Sequence, residues 1–376
     1  MRDSAFRIRL VALVRKETRQ MLRDRSNLLV GLLLPVALIL LFGYGLSFDV
    51  KNAPVALVMD NNSAAAREAV SGIGGSRYLV PVRVGSMAQA DALLRAGKVD
   101  AIVRVPIDFA EQQARGKAQV QLILNGIDST TATSLEAYIN GALGTVTLRR
   151  IDRGTGGATG VGGVSLVQRI WFNEAGISTW YLVPGLVVLI MTLVGAFLTS
   201  LLIAREWERG TLEALFVTPV RPLELVLAKI VPYLAIGLID LVMCVVAARL
   251  LFEVPIRGSL LAILLTSMAY LLVSLLMGLF ISGTTRNQFA ASQMALLASF
   301  MPALMLSGFV FDLRNVPLAV KIASQIVPAT HFMGVIKTLF LAGTDWGMVL
   351  RGCAILLGYA VVLLALTWRT VRKRLD

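Results

Sequence analysis

Ala204-Arg-Glu-Trp-Glu-Arg-Gly-Thr-Leu-Glu-Ala-Leu-Phe-Val-Thr-Pro-Val-Arg-Pro-Leu-Glu-Leu-Val-Leu-Ala-Lys229 is a charged island between two long apolar runs. Its first turn is dense in charge. Leu212, Leu215 and Phe216 form a small apolar face, and Pro219 and Pro222 break the segment. Charge is costly in hydrocarbon, so this stretch stays in water while both its ends enter lipid. A segment held in that way is well placed to receive force from a soluble partner.

The rest of the chain fits that reading. Of its 376 residues 56% are hydrophobic and 16% charged, with a mean hydropathy of +0.75. Soluble domains are charged at about a quarter of their positions, so this is the composition of a membrane protein. Six runs are long enough to cross a bilayer, which takes about 20 apolar residues. They are 28–48 (TM1), 180–203 (TM2), 230–251 (TM3), 259–281 (TM4), 290–311 (TM5) and 350–368 (TM6). The first is expected to remain uncleaved, because a 27-residue charged lead-in precedes it and no small-x-small site follows near Gly43 to Val50.

The net charge of +13 is read as topology, with no role in nucleic-acid binding. Arg2, Arg7, Arg9, Arg15, Lys16, Arg19, Arg23 and Arg25 precede the first run, and Arg369, Arg372, Lys373 and Arg374 follow the last. No zinc-finger or aromatic-interleaved basic pattern accompanies them. With both termini inside, the pieces 1–27, 204–229, 282–289 and 369–376 carry 17 Lys/Arg, against four in the outer pieces 252–258 and 312–349. That bias predicts cytoplasmic termini and basic flanks that meet anionic lipid headgroups.

Residues 49–179 read as a separate unit outside the cytoplasm. Short strands are expected at 54–59, 78–84, 100–105 and 120–124, with helices at 63–71, 86–96 and 107–115 and a longer one at 129–151. Ser86 is the expected N-cap of the second helix. Strands alternating with helices indicate an α/β unit with its own core. The glycine-rich stretch 154–163 lacks the Lys-Ser/Thr of a phosphate-binding loop and is expected to be a flexible linker. The expected fold class is therefore an α-helical integral membrane protein with six transmembrane helices and an inserted α/β extracytoplasmic domain.

Catalytic chemistry finds no support. The two cysteines, Cys244 and Cys353, lie inside apolar runs, and no Cys/His cluster has metal spacing. His331, the single histidine, is expected in the core or an interface. Gly97-Lys98 and Gly116-Lys117 both lack the upstream glycine and the following Ser/Thr of a nucleotide loop. No catalytic, cofactor-binding or metal residue is assigned. ATP-driven work would need an ATPase on another polypeptide.

Four stretches resemble the permease subunits of ABC-2 type transporters, specifically drug-efflux members with a large extracytoplasmic domain after the first span. They are Val14-Arg-Lys-Glu-Thr-Arg-Gln-Met-Leu-Arg-Asp-Arg25, the Glu-Arg-Gly-Thr-Leu-Glu…Thr-Pro signature, Leu306-Ser-Gly-Phe-Val-Phe311 with Pro317 and Val327-Pro328, and Leu94-Arg-Ala-Gly-Lys-Val-Asp-Ala-Ile-Val103. The signature rests on Glu206, Glu208, Arg209, Gly210, Thr211, Leu212, Glu213, Thr218 and Pro219. Trp207 stands where a Lys is common, Ala228 where a Gly often precedes the Lys, and Val316 where a Met is usual.

The resemblance implies that 205–217 forms a helix contacting the ATPase. An N-terminal interface helix carrying Arg15, Lys16, Glu17, Arg23 and Asp24 is expected to contact it too. Leu10, Val14, Met21 and Leu22 are expected to share the apolar face of that helix, which lies in the headgroup plane. Short re-entrant helices are expected within 312–349, on the outer face. ATP and magnesium would be bound by the cytoplasmic ABC ATPase. The other implied partners are a second permease copy or a sister permease, with a periplasmic adaptor and an outer-membrane duct, in a bacterial inner membrane. Asp240, a carboxylate near the middle of the third run, is the candidate transport-path residue. The expected function is multidrug or small amphipathic-molecule export. A membrane-anchored sensor or scaffold, and an ion-coupled carrier using Asp240, are the alternatives.

Overall fold

The computed structural model describes residues 2–45, 52–60, 63–115, 117–125, 129–152, 177–212, 220–310, 313 and 316–371. These divide into two compact units, Met1–Leu46 with Ile170–Asp376, and Ser47–Arg169.

Helices are the only regular elements among the described residues of the first unit. An amphipathic α1 (Arg2–Arg23) turns at Asp24 into α2 (Arg25–Gly45). After the insertion come α7 (Ser178–Glu208), α8 (Pro222–Leu250), α9 (Leu260–Thr285), α10 (Gln288–Leu306) and α13 (Trp346–Thr370). Six of these helices are long and apolar enough to cross a membrane. Between α10 and α13, α11 (Leu318–Ile326) and α12 (Pro328–Leu341) meet at an 89° bend. Pro328 causes the bend, since it lacks the N–H needed to continue α11 and starts α12 instead.

The helix α7 is the central helix of its unit, with 83% of its apolar window buried against 22% for α2. Glycines let its neighbours approach. A Cβ on Gly195 would lie 2.7 Å from the Ser274 Cβ of α9. Beside it, the Thr199 hydroxyl donates across the pair to the Leu275 carbonyl at 2.9 Å. Small residues and shared hydroxyls hold helices together where lipid supplies no hydrophobic drive. The helix α10 contains a π-helical turn at Leu296–Phe300, one turn before Leu306-Ser-Gly. Gly308 then takes φ +84°, and the Phe309 ring turns back onto Gly185 of α7, where a Cβ would sit 2.5 Å from it. Tyr181 and Lys337 both donate to the freed Gly308 carbonyl, at 3.0 and 2.8 Å.

Two sequence readings need correction here. The apolar runs underestimate the helices: α7 runs on to Glu208, and α8 starts at Pro222, eight residues before Ile230. Pro222 therefore begins a helix at N1, where its missing N–H costs nothing. On α1, Leu22 is 60% exposed, and the packed face runs through Glu17 and Met21.

The inserted unit holds a four-stranded mixed sheet in the order β2-β1-β3-β4, formed by β1 (Ala53–Met59), β2 (Leu79–Val84), β3 (Ala101–Val105) and β4 (Gln121–Leu124). The strand β1 runs parallel to β2 and β3, and β4 closes the edge antiparallel. Alternation sends Val55, Leu57, Ala101 and Val103 to one face with α3 (Ala64–Gly74) and α6 (Ser129–Asp152), and Ala56, Val58 and Ile102 to the other with α4 (Met87–Arg95). A short α5 (Phe109–Ala114) precedes β4. Ser86 caps α4 by accepting from the Gln89 N–H at 3.3 Å. The fold class is thus that of a six-span helical membrane protein with an inserted α/β unit. The linker at 154–163 lies outside the described residues.

Candidate coupling site

The helix α1 crosses α8 with its inward face, and that face is ionic as well as apolar. Arg9 and Glu17, about two turns apart, lie on the same side of the helix. On α8, Lys229 follows Leu225 and Val226 on the buried face, so its ammonium is carried into the unit. There Lys229 is 1% exposed, and Glu17 and Glu206 are 4% exposed each.

These three charges cannot be buried singly, and the chain pairs them. Lys229 Nζ stands 2.9 Å from Glu206 Oε2 and 3.3 Å from Glu17 Oε1. Lys16 Nζ closes the ring at 2.9 Å from Glu17 Oε1 and 2.9 Å from Glu206 Oε1. Two cations and two carboxylates alternate, which is the arrangement that offsets the desolvation of each. Burial alone would push Lys16 towards neutrality, but the facing Glu206 and Glu17 carboxylates outweigh it and raise its pKa.

Further pairs extend the cluster. Arg9 Nη2 donates to Glu224 Oε1 at 2.8 Å, and the wholly buried Glu224 also accepts the Arg221 N–H at 2.9 Å, capping α8. Arg205 pairs with Asp24 at the α1–α2 turn. Burial opposes the charge on Asp24, yet the Arg205 guanidinium and the Asn27 N–H hold its carboxyl below the ordinary value. Glu208 accepts the Gln288 N–H at 2.8 Å, placing an acid at the start of α10, where the helix dipole favours it. The Arg286 guanidinium lies 4.1 Å over the Trp207 ring, so the aromatic that departs from the usual Lys has a cation to stack on.

The sequence-selected residues therefore separate into two groups. Glu17, Glu206, Lys16 and Asp24 are joined in the inward cluster, and Leu212 is buried beside it. Arg15, Arg23, Glu208, Arg209, Gly210 and Thr211 are exposed, with Gly210 at φ +67° ending the helical run. Glu213, Thr218 and Pro219 lie outside the described residues, as do 214–217 of the expected 205–217 helix. Of its described part, 205–208 belong to α7, Arg209 and Gly210 form a turn, and Thr211 and Leu212 are helical again. Sequence reasoning missed Arg9, Arg205, Glu224 and Lys229. Their signal is faint but present: ionisable residues sit on the buried face of α8 and at two-turn spacing along α1.

Asp240 lies apart from this cluster, wholly buried in α8, and neither carboxylate oxygen has a hydrogen-bond partner among the described residues. A separate cavity of about 200 Å3 lies between α7, α9, α10 and the α11–α12 bend. Thr192, Tyr270, Ser274, Ser299, Val327 and Pro328 line it. The Thr192 and Tyr270 hydroxyls bond to each other, and Ser299 Oγ has no partner there. His331 Nε2 meets the Gln325 carbonyl at 3.0 Å, an interface role within the α11–α12 pair. Among the described residues no group of three or more His, Cys, Asp or Glu could hold a metal ion.

The six apolar helices are those of a membrane protein, and the sequence matches known transporters along nearly its whole length. The family model for "ABC-2 family transporter protein" matches residues 25–369. The chain is 38% identical to the "Probable multidrug ABC transporter permease YbhS" of Escherichia coli K12 over 370 residues, 98% of both chains. It is 28% identical to "Probable multidrug ABC transporter permease YbhR" of the same strain over 91% of this chain and 92% of that one. To "Inner membrane transport permease YhhJ" it is 25% identical, over 79% of each. With a match across almost its whole length, this multi-pass membrane protein belongs to the ABC-2 family of transporter permeases.

Proposed function

We propose that this chain is the membrane subunit of an ATP-driven exporter of small amphipathic molecules, multidrug cargo included, in a bacterial inner membrane. The bias of 17 against four Lys/Arg supports cytoplasmic termini, with the α1–α7–α8 cluster on the same side and the inserted α/β unit outside. Two permease copies, or this chain with a sister permease, make the pathway, and two cytoplasmic ABC ATPases below bind ATP and magnesium. A periplasmic adaptor and an outer-membrane duct complete the route from the α/β unit.

The ring of Lys16, Glu17, Glu206 and Lys229 carries this reading. It joins α1 and the ends of two spans into one block, and the exposed turn Arg209-Gly210, with the exposed Thr211 after it, follows directly in the chain. A push on that turn moves α7 and α8 together instead of being absorbed by a slack loop. The cavity beside the α11–α12 bend, apolar with a few hydroxyls, suits uncharged or weakly polar cargo on its way out.

The test is reconstitution with the cognate ATPase in proteoliposomes, measuring ATP hydrolysis and dye export separately. Arg209→Glu and Thr211→Asp are expected to keep hydrolysis and lose most export. Export at the wild-type rate by both variants would remove the coupling role. The unpartnered Asp240 favours a second reading, an ion-coupled carrier. In that case export persists without any ATPase and collapses when the proton gradient is dissipated.

A further inference from the structure

A second concavity opens beside the coupling cluster, with a volume of about 680 Å3, within the range of about 300–1,000 Å3 typical of small-molecule sites. Lys16, Arg23, Arg25, Arg205 and Arg209 line it, against the carboxylates of Asp24 and Glu206. Both carboxylates are already committed, to Arg205 and to the two lysines of the ring. The guanidinium groups of Arg23, Arg25 and Arg209 have no ion-pair partner among the described residues. Arg209 also acts on Asp24 through space, but none of the three forks is closed by a contact ion pair. Together they line the hollow as an anion receptor, and the planar geometry of Arg suits phosphate oxygens best.

The surroundings of the hollow select the kind of phosphate. Arg25 is the first residue of α2, and Leu29, Leu33, Val36 and Leu40 follow it at spacings of three and four. They continue its face of the helix. All four are exposed, Leu29 and Leu33 at 60% and 57%. The hollow therefore opens at the head of an apolar track about as long as an acyl chain.

We propose that this pocket binds the phosphate headgroup of an anionic phospholipid whose acyl chains lie along the Leu29–Leu40 face of α2. The bound lipid bridges the α1–α2 turn to the Arg209 turn after α7, and so braces the block that the ATPase is to move. The inference does not depend on the cargo. It shares Arg209 with the coupling reading, while Arg25 belongs to the lipid site alone, so it can fail while the exporter reading stands.

The full chain, purified in detergent, is titrated with dioleoylphosphatidylglycerol, dioleoylphosphatidylcholine and inorganic phosphate, with retained lipid counted by native mass spectrometry. Phosphatidylglycerol is expected to bind at least tenfold more tightly than phosphatidylcholine. Arg25→Gln with Arg209→Gln should abolish the preference, while Arg25→Lys with Arg209→Lys keeps part of it. The melting temperature in phosphatidylcholine nanodiscs checks that each variant folds. If the glutamine pair does not fold, the wild-type preference still has to weaken several-fold between low and high salt, as a phosphate contact must. Equal retention of the two lipids overturns the proposal. So does full displacement of the lipid by millimolar inorganic phosphate, which would make this a free-anion site. Loss of lipid binding on adding the ATPase, with the same arginines protected, would make the pocket a protein-docking surface and overturn it as well.

Discussion

Lys229 Nζ lies 2.9 Å from Glu206 Oε2, linking two residues that flank a 22-residue connection and that are both almost completely removed from solvent. The pair turns the charged island between two spans into a joint. Its two ends are helix, continuous with α7 and α8. Glu206 faces inward, so it cannot be an acid offered to a soluble partner. The exposed positions of this stretch are those around Arg209.

Reversing the charge at Glu206 should therefore damage the fold, whereas a simple loss of coupling would leave it intact. Glu206→Lys would bring a third cation against Lys16 and Lys229 with Glu17 alone to balance them. Breaking a buried pair by removing one partner costs about 3–5 kcal/mol. Thermal unfolding in detergent should show a large fall in Tm for Glu206→Lys and for Lys229→Ala. Glu208→Lys, on an exposed residue, should shift it by a degree or two. A Glu206→Lys protein as stable as wild type would contradict the buried ring.

The ring and the neighbouring Asp24–Arg205 pair also predict a flat pH response. The Asp24 carboxyl is held below its ordinary value, so its contribution is complete above about pH 4 and is lost as pH falls through the lower, folded-state value. The Lys16 pKa is raised, so its contribution is complete below about pH 10 and is lost as pH rises through the higher, folded-state value. Between about pH 5 and 9 neither group changes charge, and the melting temperature of the α1–α7–α8 block should stay level. Asp24→Asn should remove the share of the acid-side loss that Asp24 carries. A marked decline in stability between pH 8 and 6 would show that other groups govern this end of the molecule.

The family motif at Leu306-Ser-Gly-Phe makes a packing prediction. Phe309 occupies the space a side chain at Gly185 would need, and its path depends on the φ of +84° at Gly308. Gly185→Val should displace Phe309 and cost about 1–3 kcal/mol by overpacking. Gly308→Val should cost more than Gly308→Ala, because β-branched residues tolerate positive φ worst. Limited proteolysis of the α10–α11 connection would report the loss as faster cleavage. Unchanged protection in both valine variants would rule out this packing.

Much of this was legible from sequence, and the reason is physical. Spans advertise themselves by long apolar runs, and strands of the inserted unit by short β-branched runs broken by turns. That is why the sheet, the Ser86 cap and the six helices could be read directly. Helix ends were less legible, because α7 and α8 continue past the apolar runs on charged residues such as Arg205, Glu206 and Glu224. Hydropathy counts these as loop, although their partners lie 181 to 215 positions away in α1 and at Asp24. No local pattern encodes a pair such as Arg9 and Glu224. Leu22 failed for a related reason: periodicity gives a face but not which face the neighbour covers when that neighbour supplies charges.

Asp240 yields the last prediction. A carboxylate in mid-span normally finds a cation or donor, and Asp240 has neither among the described residues. Burial without partners penalises the charged form, so Asn, which keeps the shape and removes the charge, should fold at least as well. Asp240→Asn is expected to match or exceed the wild-type Tm in detergent. If the carboxylate serves only to pack, export of cationic and neutral dyes should remain equal in the variant. If it meets cationic cargo on its route, export of the cationic dye should fall several-fold while the neutral dye is unaffected. The two dyes measured side by side in the same vesicles separate these roles, since a general loss of folded protein would lower both.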